Sequence, residues 1–218
     1  MNFLSTLFPK LIDLILPREF LVKKLEKMTS EEFLESVSIS KSPEGLFFYQ
    51  DPLVRKALWK IKFQNNRKIL KIVAGAGAEM LLPIIFEMMI FSRDRDIILI
   101  PVPLSSIRLK ERGYNQVTEL LKEILCKLSD KYGLNNLKIR EDLLIRIKHS
   151  EPQTKVRSRQ GRLRNLQDSY LAPHPEEITN QQIILLDDVT TTGATLKSAQ
   201  DVIVACKPRH LFCIAIAH

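Results

Sequence analysis

Two adjacent acids, Asp187 and Asp188, close the apolar run Ile183-Ile184-Leu185-Leu186, and Val189-Thr190-Thr191-Thr192-Gly193-Ala194-Thr195-Leu196 follows. Paired carboxylates suit sugar hydroxyls or a hydrated Mg²⁺. A Thr/Gly turn entering a helix offers unpaired backbone N–H groups and hydroxyls to a phosphate. A phosphate cradle beside a diol-or-metal site is the chemistry of a phosphorylated sugar. Capping the next helix needs only one of these threonines. It accounts neither for two adjacent acids nor for three consecutive threonines before a glycine.

A second turn, Pro101-Val102-Pro103-Leu104-Ser105, follows the apolar run Ile97–Ile100 and leads to Arg108, Arg112 and Gly113-Tyr114-Asn115-Gln116. If both apolar runs are parallel strands, both turns lie at the same edge of one sheet, where α/β folds bind ligands. The prolines stiffen the loop and are expected to leave backbone groups facing a ligand. With Arg108 or Arg112, the loop would then receive an anionic leaving group such as pyrophosphate.

A third region is strongly basic. Between residues 138 and 165 there are nine Lys/Arg and three Asp/Glu, a net +6 of the chain's +8. It holds Arg146, Lys148, Gln153, Arg159, Arg162 and Asn165. A run of charge is most often a solvated face. Placed before the signature strand, it is a candidate lid over a pyrophosphate or a groove for single-stranded nucleic acid. His149 reads as a solvated residue of this basic loop.

Strands and helices must position these groups. Gly45–Tyr49 reads as a short strand, and Asp51-Pro52 starts a helix over 52–64 with a stripe at Leu53, Ala57, Leu58 and Ile61. A helix from Arg67 to Phe91 is expected to kink or split at Pro83 and the Gly75/Gly77 pair. Further strands are expected at Ile97–Ile100, Leu143–Ile147, Ile183–Leu186 and Leu211–Ala217, with helices over Asn115–Leu128 and Ala194–Ala205. Alternation of this kind predicts an α/β fold with a parallel sheet and crossover helices.

Composition adds bounds. The 218 residues and 45% hydrophobic content allow one α/β domain with an appendage, and a pI near 9.4 favours an anionic partner. The scattered Cys126, Cys206 and Cys213 argue against a disulfide framework or cysteine zinc site, and their apolar settings suggest buried thiols in a reducing cytoplasm. The apolar stretch 3–16 is short and interrupted by Pro9, Lys10 and Asp13, so no transmembrane segment is expected there.

The hydrophobic strand, two acids and T-T-G-x-T turn resemble the phosphoribosyl pyrophosphate (PRPP) signature of type I phosphoribosyltransferases. More specifically, the chain resembles the ComF family, phosphoribosyltransferase-like proteins associated with bacterial DNA uptake. The likeness runs through Asp51-Pro52-Leu53, Leu58…Ile61-Lys62-Phe63, Pro101-Val102-Pro103, and Arg108…Glu111-Arg112-Gly113-Tyr114-Asn115-Gln116. It continues in Arg146…Gln153…Arg159…Arg162…Asn165 and Asp187–Thr195.

The resemblance implies a phosphoribosyltransferase-like domain over 46–218 and a helical N-terminal segment over 1–45. Asp187 and Asp188 would hold the ribose hydroxyls, directly or through Mg²⁺. Thr190, Thr191, Thr192, Gly193, Ala194 and Thr195 would take the 5′-phosphate, and Pro101–Ser105 with Arg108 or Arg112 the pyrophosphate. The implied activity is phosphoribosyl transfer to an unidentified acceptor, linked to competence or nucleotide metabolism. A single-stranded DNA-binding accessory protein or a PRPP sensor is the alternative, and other DNA-uptake proteins are implied partners. The family's four-cysteine zinc module normally follows an L-x-D-L-x-x-P element. Here Leu11–Pro17 is followed by no cysteine through residue 44, so no zinc is expected and helix is.

Overall fold

A computed structural model describes residues 18–42, 44–91, 96–147 and 170–218. Its strands in chain order are β1 (Gly45–Phe47), β2 (Ile97–Pro101), β3 (Leu137–Ile139), β4 (Ile145–Arg146), β5 (Tyr170–Leu171), β6 (Gln182–Val189) and β7 (His210–Ala217). The helices are α1 (Arg18–Leu25), α2 (Ser30–Ser36), α3 (Pro52–Gln64), α4 (Arg67–Phe91), α5 (Ser106–Arg112), α6 (Gln116–Tyr132) and α7 (Ala194–Ala205).

Five strands form a wholly parallel sheet in the order β1-β7-β6-β2-β3. Parallel sheets are covered on both faces, which is why β2 and β6 read as unbroken apolar runs. Alternate residues feed two cores. Ile97, Leu99, Ile184, Leu186, Ile214 and Ile216 join α2, α3, α4 and α6 on one face. Ile98, Ile100, Ile183 and Leu185 join Leu196, Ala199 and Ile203 of α7 on the other. The signature strand β6 lies in the centre, paired to β2 through Leu186↔Pro101 and to β7 through Val189↔Ala217.

One expectation is corrected at the sheet's far edge. Leu143–Ile147 is not a strand of this sheet. Leu143 and Leu144 are buried in the α7-side core, and only Ile145–Arg146 is extended, pairing antiparallel with Tyr170–Leu171. The edge strand is instead the short Leu137–Ile139, whose alternating Leu-Lys-Ile pattern carries too little apolar signal to stand out. Residues 148–169, with Lys148, Gln153, Arg159, Arg162 and Asn165, lie outside the described residues.

Helix α4 is a single helix containing Pro83, not two. Gly75 serves packing: a Cβ there would collide with the Ser30 side chain, so α2 crosses closely at this point. By length and composition α4 could cross a membrane, but most of it is buried inside the protein, as expected of a core helix. The cysteine expectation also needs amending, since Cys126 is exposed on α6 and the other two thiols are half-buried.

Among the described N-terminal residues, Arg18–Leu25 and Ser30–Ser36 are helices. A capping box starts α2, with Glu32 N–H donating to Thr29 Oγ1 at 3.1 Å and Thr29 N–H to Glu32 Oε2 at 2.8 Å. Leu25, Phe33 and Val37 belong to the same core as the sheet, and the Phe33 ring meets Phe47 of β1 edge-on at 5.7 Å. Phe33→Ala is therefore expected to destabilise the whole chain by about 3–5 kcal/mol. Urea unfolding should show one transition at a lower midpoint, whereas a separate early transition with an unchanged main midpoint would contradict a shared core.

Candidate functional site

Parallel strands bring their carboxyl ends together, so the turns after β2 and β6 adjoin. Val102 N–H donates to Leu186 O at 2.8 Å, and its carbonyl accepts from Asn115 Nδ2 at 3.2 Å. The expectation that the prolines free these backbone groups for a ligand is thus wrong for Val102. Its side chain is also buried in the α7-side core, so Val102 is an anchor for the loop. Pro103, Leu104 and Ser105 are only partly buried. Ser105 caps α5, its Oγ accepting from Arg108 N–H at 3.3 Å.

Asp187 and Asp188 are the sixth and seventh residues of β6. Strand side chains alternate, so the two carboxyls face opposite sides of the sheet. On the α3/α6 side, Asp188 Oδ2 takes the Lys62 ammonium at 2.9 Å and the amide of Gln116, while Oδ1 accepts Val189 N–H at 2.5 Å. Gln116 Oε1 in turn accepts from Arg112 Nη1 at 2.8 Å. A chain of contacts therefore runs from the Arg112 guanidinium to the acid.

On the α7 side Asp187 is buried, and its Oδ1 accepts Asp188 N–H at 2.7 Å. Burial, then the neighbouring Asp188 charge, push its carboxyl up to about 7, opposed by the Asp188 N–H and the charges of Lys62 and Arg108. Tyr170 is buried nearby and its hydroxyl accepts from Arg146 Nη1 at 3.4 Å. The Arg146 guanidinium also lies 5.3 Å from the ring centre. Burial raises the phenol, and the charges of Arg146, Asp187 and Arg108 all reach it.

The turn into α7 is held from within. Thr190 N–H donates to Ala217 O, and Thr190 Oγ1 accepts Gly193 N–H, both at 3.0 Å. Thr190 is buried, so it shapes the turn and does not present its hydroxyl to a phosphate as expected. Thr191 and Thr192 are exposed, and Gly193, Ala194 and Thr195 half-exposed. Gly193 sits at φ 71° and is the N-cap of α7, with no side-chain hydrogen bond to the helix start. The first amides of α7 therefore open outward without a cap from its own N-cap residue, the arrangement that favours an anion.

The expected site residues thus divide into groups. Asp187, Asp188, the turn Thr190–Thr195, Arg108, Arg112 and Arg146 gather at one end of the sheet. Lys62, Gln116 and Tyr170 join them although the spacing of motifs did not single them out as site residues. A signal existed for two of them. Lys62 is a lysine one turn beyond Leu58 on the apolar stripe of α3, and Gln116 is a polar residue at the first, buried position of α6.

The fold defines an α/β protein of phosphoribosyltransferase-like architecture: a five-stranded parallel sheet flanked by seven described helices, with an acid pair and a Thr/Gly turn after the central strand. No protein-family model matches the chain. It is 38% identical over 99 residues to Competence protein F of Haemophilus influenzae, covering 45% of this chain and 40% of that protein. It is 28% identical over 158 residues to Competence protein ComFC of Bacillus subtilis, covering 71% of this chain and 55% of that protein. The chain spans about half the length of these curated relatives or less. In its motifs and in these matches the chain is similar to ComF-type competence proteins.

The raised carboxyl of Asp187 has a consequence for stability. The folded chain holds this proton more tightly than the unfolded one, whose Asp titrates near ~3.9. The resulting stabilisation is complete below the unfolded value and is lost as pH rises through about 7. Asp187→Asn imitates the protonated form and can still accept Asp188 N–H. It should raise stability at pH about 8 by roughly 1–3 kcal/mol and flatten the change between pH about 5 and 8. Urea titrations of both proteins at the two pH values check this, and parallel pH profiles would refute it.

Proposed function

We propose that this chain binds Mg²⁺-PRPP at the carboxyl end of β6 and transfers its phosphoribosyl group to an acceptor, within the competence-related role named for its relatives. The observation that carries the reading is the acid pair at the end of a buried central strand, followed at once by an uncapped helix start. Either element alone has a purely structural explanation. Their succession around Gly193 gives one ligand a place for its diol and its phosphate.

The 5′-phosphate would lie on the first amides of α7 and the exposed hydroxyls of Thr191 and Thr192. The backbone of Gly193, without a side chain, lets it approach. Asp188 would receive the ribose hydroxyls or the hydrated metal, in the position now facing the Lys62 ammonium. Arg112, held by Gln116, and Arg108, whose charge already reaches Asp187, would face the pyrophosphate.

The oxygen chemistry of Asp188, on the face of the proposed sugar, suits Mg²⁺, while Asp187 on the other face is made difficult to ionise by burial and by its like-charged neighbour. When bound, Mg²⁺ would supply charge neutralisation of the pyrophosphate as it leaves. The chain's own contribution is to orient the sugar between Asp188 and the α7 turn and to present fixed cations to the departing anion. Such preorganised charge is the main source of rate in this class of displacement.

Calorimetric titration of Mg²⁺-PRPP into the folded protein is the test. Saturable binding is expected, reduced at least about tenfold by Asp188→Asn, a loss on the order of 1.4 kcal/mol. Binding should weaken as pH falls below about 7, because Asp187 must give up its proton to ionise. No heat of binding above that pH in a folded protein would reject the reading. Binding without pyrophosphate release across candidate acceptors would leave a PRPP-sensing role and remove the transferase.

A further inference from the structure

Asp188 holds three donors at once. Its Oδ1 accepts Val189 N–H, and its Oδ2 meets both the Gln116 amide and the Lys62 ammonium. A carboxylate offers about four acceptor positions, so little of this one is left. Two of the donors are fixtures. Val189 N–H belongs to the strand itself, and Gln116 is buried at the first turn of α6 with its Oε1 held by Arg112. Lys62 is different. It lies in the last turn of α3, and its ammonium is carried on a flexible four-carbon stem. It can leave the acid without unmaking a strand or a helix start.

The ion pair is enclosed: the Lys62 and Asp188 side chains are 16% and 14% exposed, with 2.9 Å between Nζ and Oδ2. The charge of Lys62 also reaches Asp187 across the strand, so one ammonium serves both acids. Salt screens little in such a place, and a second cation on Asp188 would meet the repulsion of the first. Anchoring α3 to the sheet would account for an ion pair. It does not account for its placement on this acid, where the other two donors are fixed.

On the reading of Asp188 as the metal-side acid, we infer that Lys62 is a displaceable counter-ion. It excludes free divalent metal from Asp188 and gives way to metal carried by a polyphosphate. A bare cation offers the ammonium no new partner, and the two would compete for one carboxylate. A metal complexed with pyrophosphate brings anionic oxygens to which the ammonium can turn, at the end of the sheet where Arg112 already stands behind Gln116. Lys62 is then a specificity-determining residue, which makes metal and anion bind together and keeps metal alone from filling the acid.

Mn²⁺ shares the preference of Mg²⁺ for carboxylate and water oxygens, and electron paramagnetic resonance reads its unbound fraction, so it is the probe. The wild-type chain should bind Mn²⁺ alone poorly. Lys62→Gln, whose amide can still donate to Asp188, should bind it at least about tenfold more tightly, and adding Asp188→Asn should erase the gain. Lys62→Arg keeps the charge and should keep the exclusion. Lys60→Gln removes a charge that faces Gln64 and Trp59 instead, and should change the affinity less than about twofold. Calorimetry with preformed Mn²⁺-pyrophosphate is the second readout. The wild type should favour this complex over free Mn²⁺ by a margin about tenfold wider than Lys62→Gln does.

A merely structural lysine would lower the urea midpoint of Lys62→Gln and leave its Mn²⁺ affinity unchanged, which would overturn the assignment. So would an equal gain in Lys62→Arg or Lys60→Gln, or one that survives Asp188→Asn. Circular dichroism verifies that the variants fold. Free Mn²⁺ held by the wild type as tightly as its pyrophosphate complex would overturn the assignment without any variant. Failure of Mg²⁺-PRPP to bind the wild type would instead reject that ligand alone, because the Mn²⁺ comparison uses no PRPP.

Discussion

Two carboxylates on consecutive residues of a central parallel strand cannot share a partner, because the strand sends one to each face of the sheet. Each acid must be answered separately, and what surrounds the carboxyl end of β6 follows from the two answers. On the α3/α6 face there is room for side chains of opposite charge. Lys62 and Gln116 meet Asp188 there, with Arg112 behind Gln116. On the α7 face the strand runs into the hydrophobic core, and Asp187 has its neighbour's N–H and the more distant charges of Lys62 and Arg108. That face is satisfied by keeping a proton. The asymmetry sets an acid answered by a cation beside one that burial and its charged neighbour push up to about 7.

The loops then follow from the need to hold that strand end open. A turn meant to bind something must satisfy its own backbone without using the groups it offers. Thr190 does this after β6, donating its N–H to the end of β7 and accepting Gly193 N–H with its hydroxyl. Val102 does the same after β2, giving both of its backbone groups to the protein. In each loop the buried residue within the motif is the fixture. The surface left open is formed by its neighbours, the exposed Thr191 and Thr192 in one case and the partly exposed segment from Pro103 onward in the other.

This also explains what the sequence disclosed. The sheet strands β2, β6 and β7 were legible because burial on both faces leaves continuous apolar runs, and α3, α6 and α7 because their caps and stripes are regular. The two-residue β4 and the three-residue β3 were not, since so few residues carry no period. The acids and the turn were legible as local motifs. Which threonine is left exposed and which one braces the turn was not, because that depends on Ala217, far along the chain but adjacent in the sheet. The pairing of Lys62 and Gln116 with Asp188 was hidden for a similar reason: they lie 126 and 72 residues from it, and their identity as partners exists only once α3 and α6 are docked.

Helix α3 has the most to reconcile. Its inner face packs Leu53, Val54, Ala57, Leu58 and Ile61 into the core, its rim delivers Lys62 to the acid, and its outer face carries the adjoining rings of Trp59 and Phe63. A helix with such duties must be fixed at both ends. Asp51 caps its start, with Oδ1 accepting from Leu53 and Val54 N–H, while Oδ2 accepts Ser38 N–H at 2.9 Å. At the other end Asn65 closes the helix in the left-handed region, and Asn66 donates to Glu26 Oε1 at 2.8 Å. Both restraints come from the cysteine-free N-terminal segment. In this chain, packing of Leu25 and Phe33 and two polar clasps hold that segment against α3. Loosening it would shift the Lys62–Asp188 pair without touching any residue of the acid site itself.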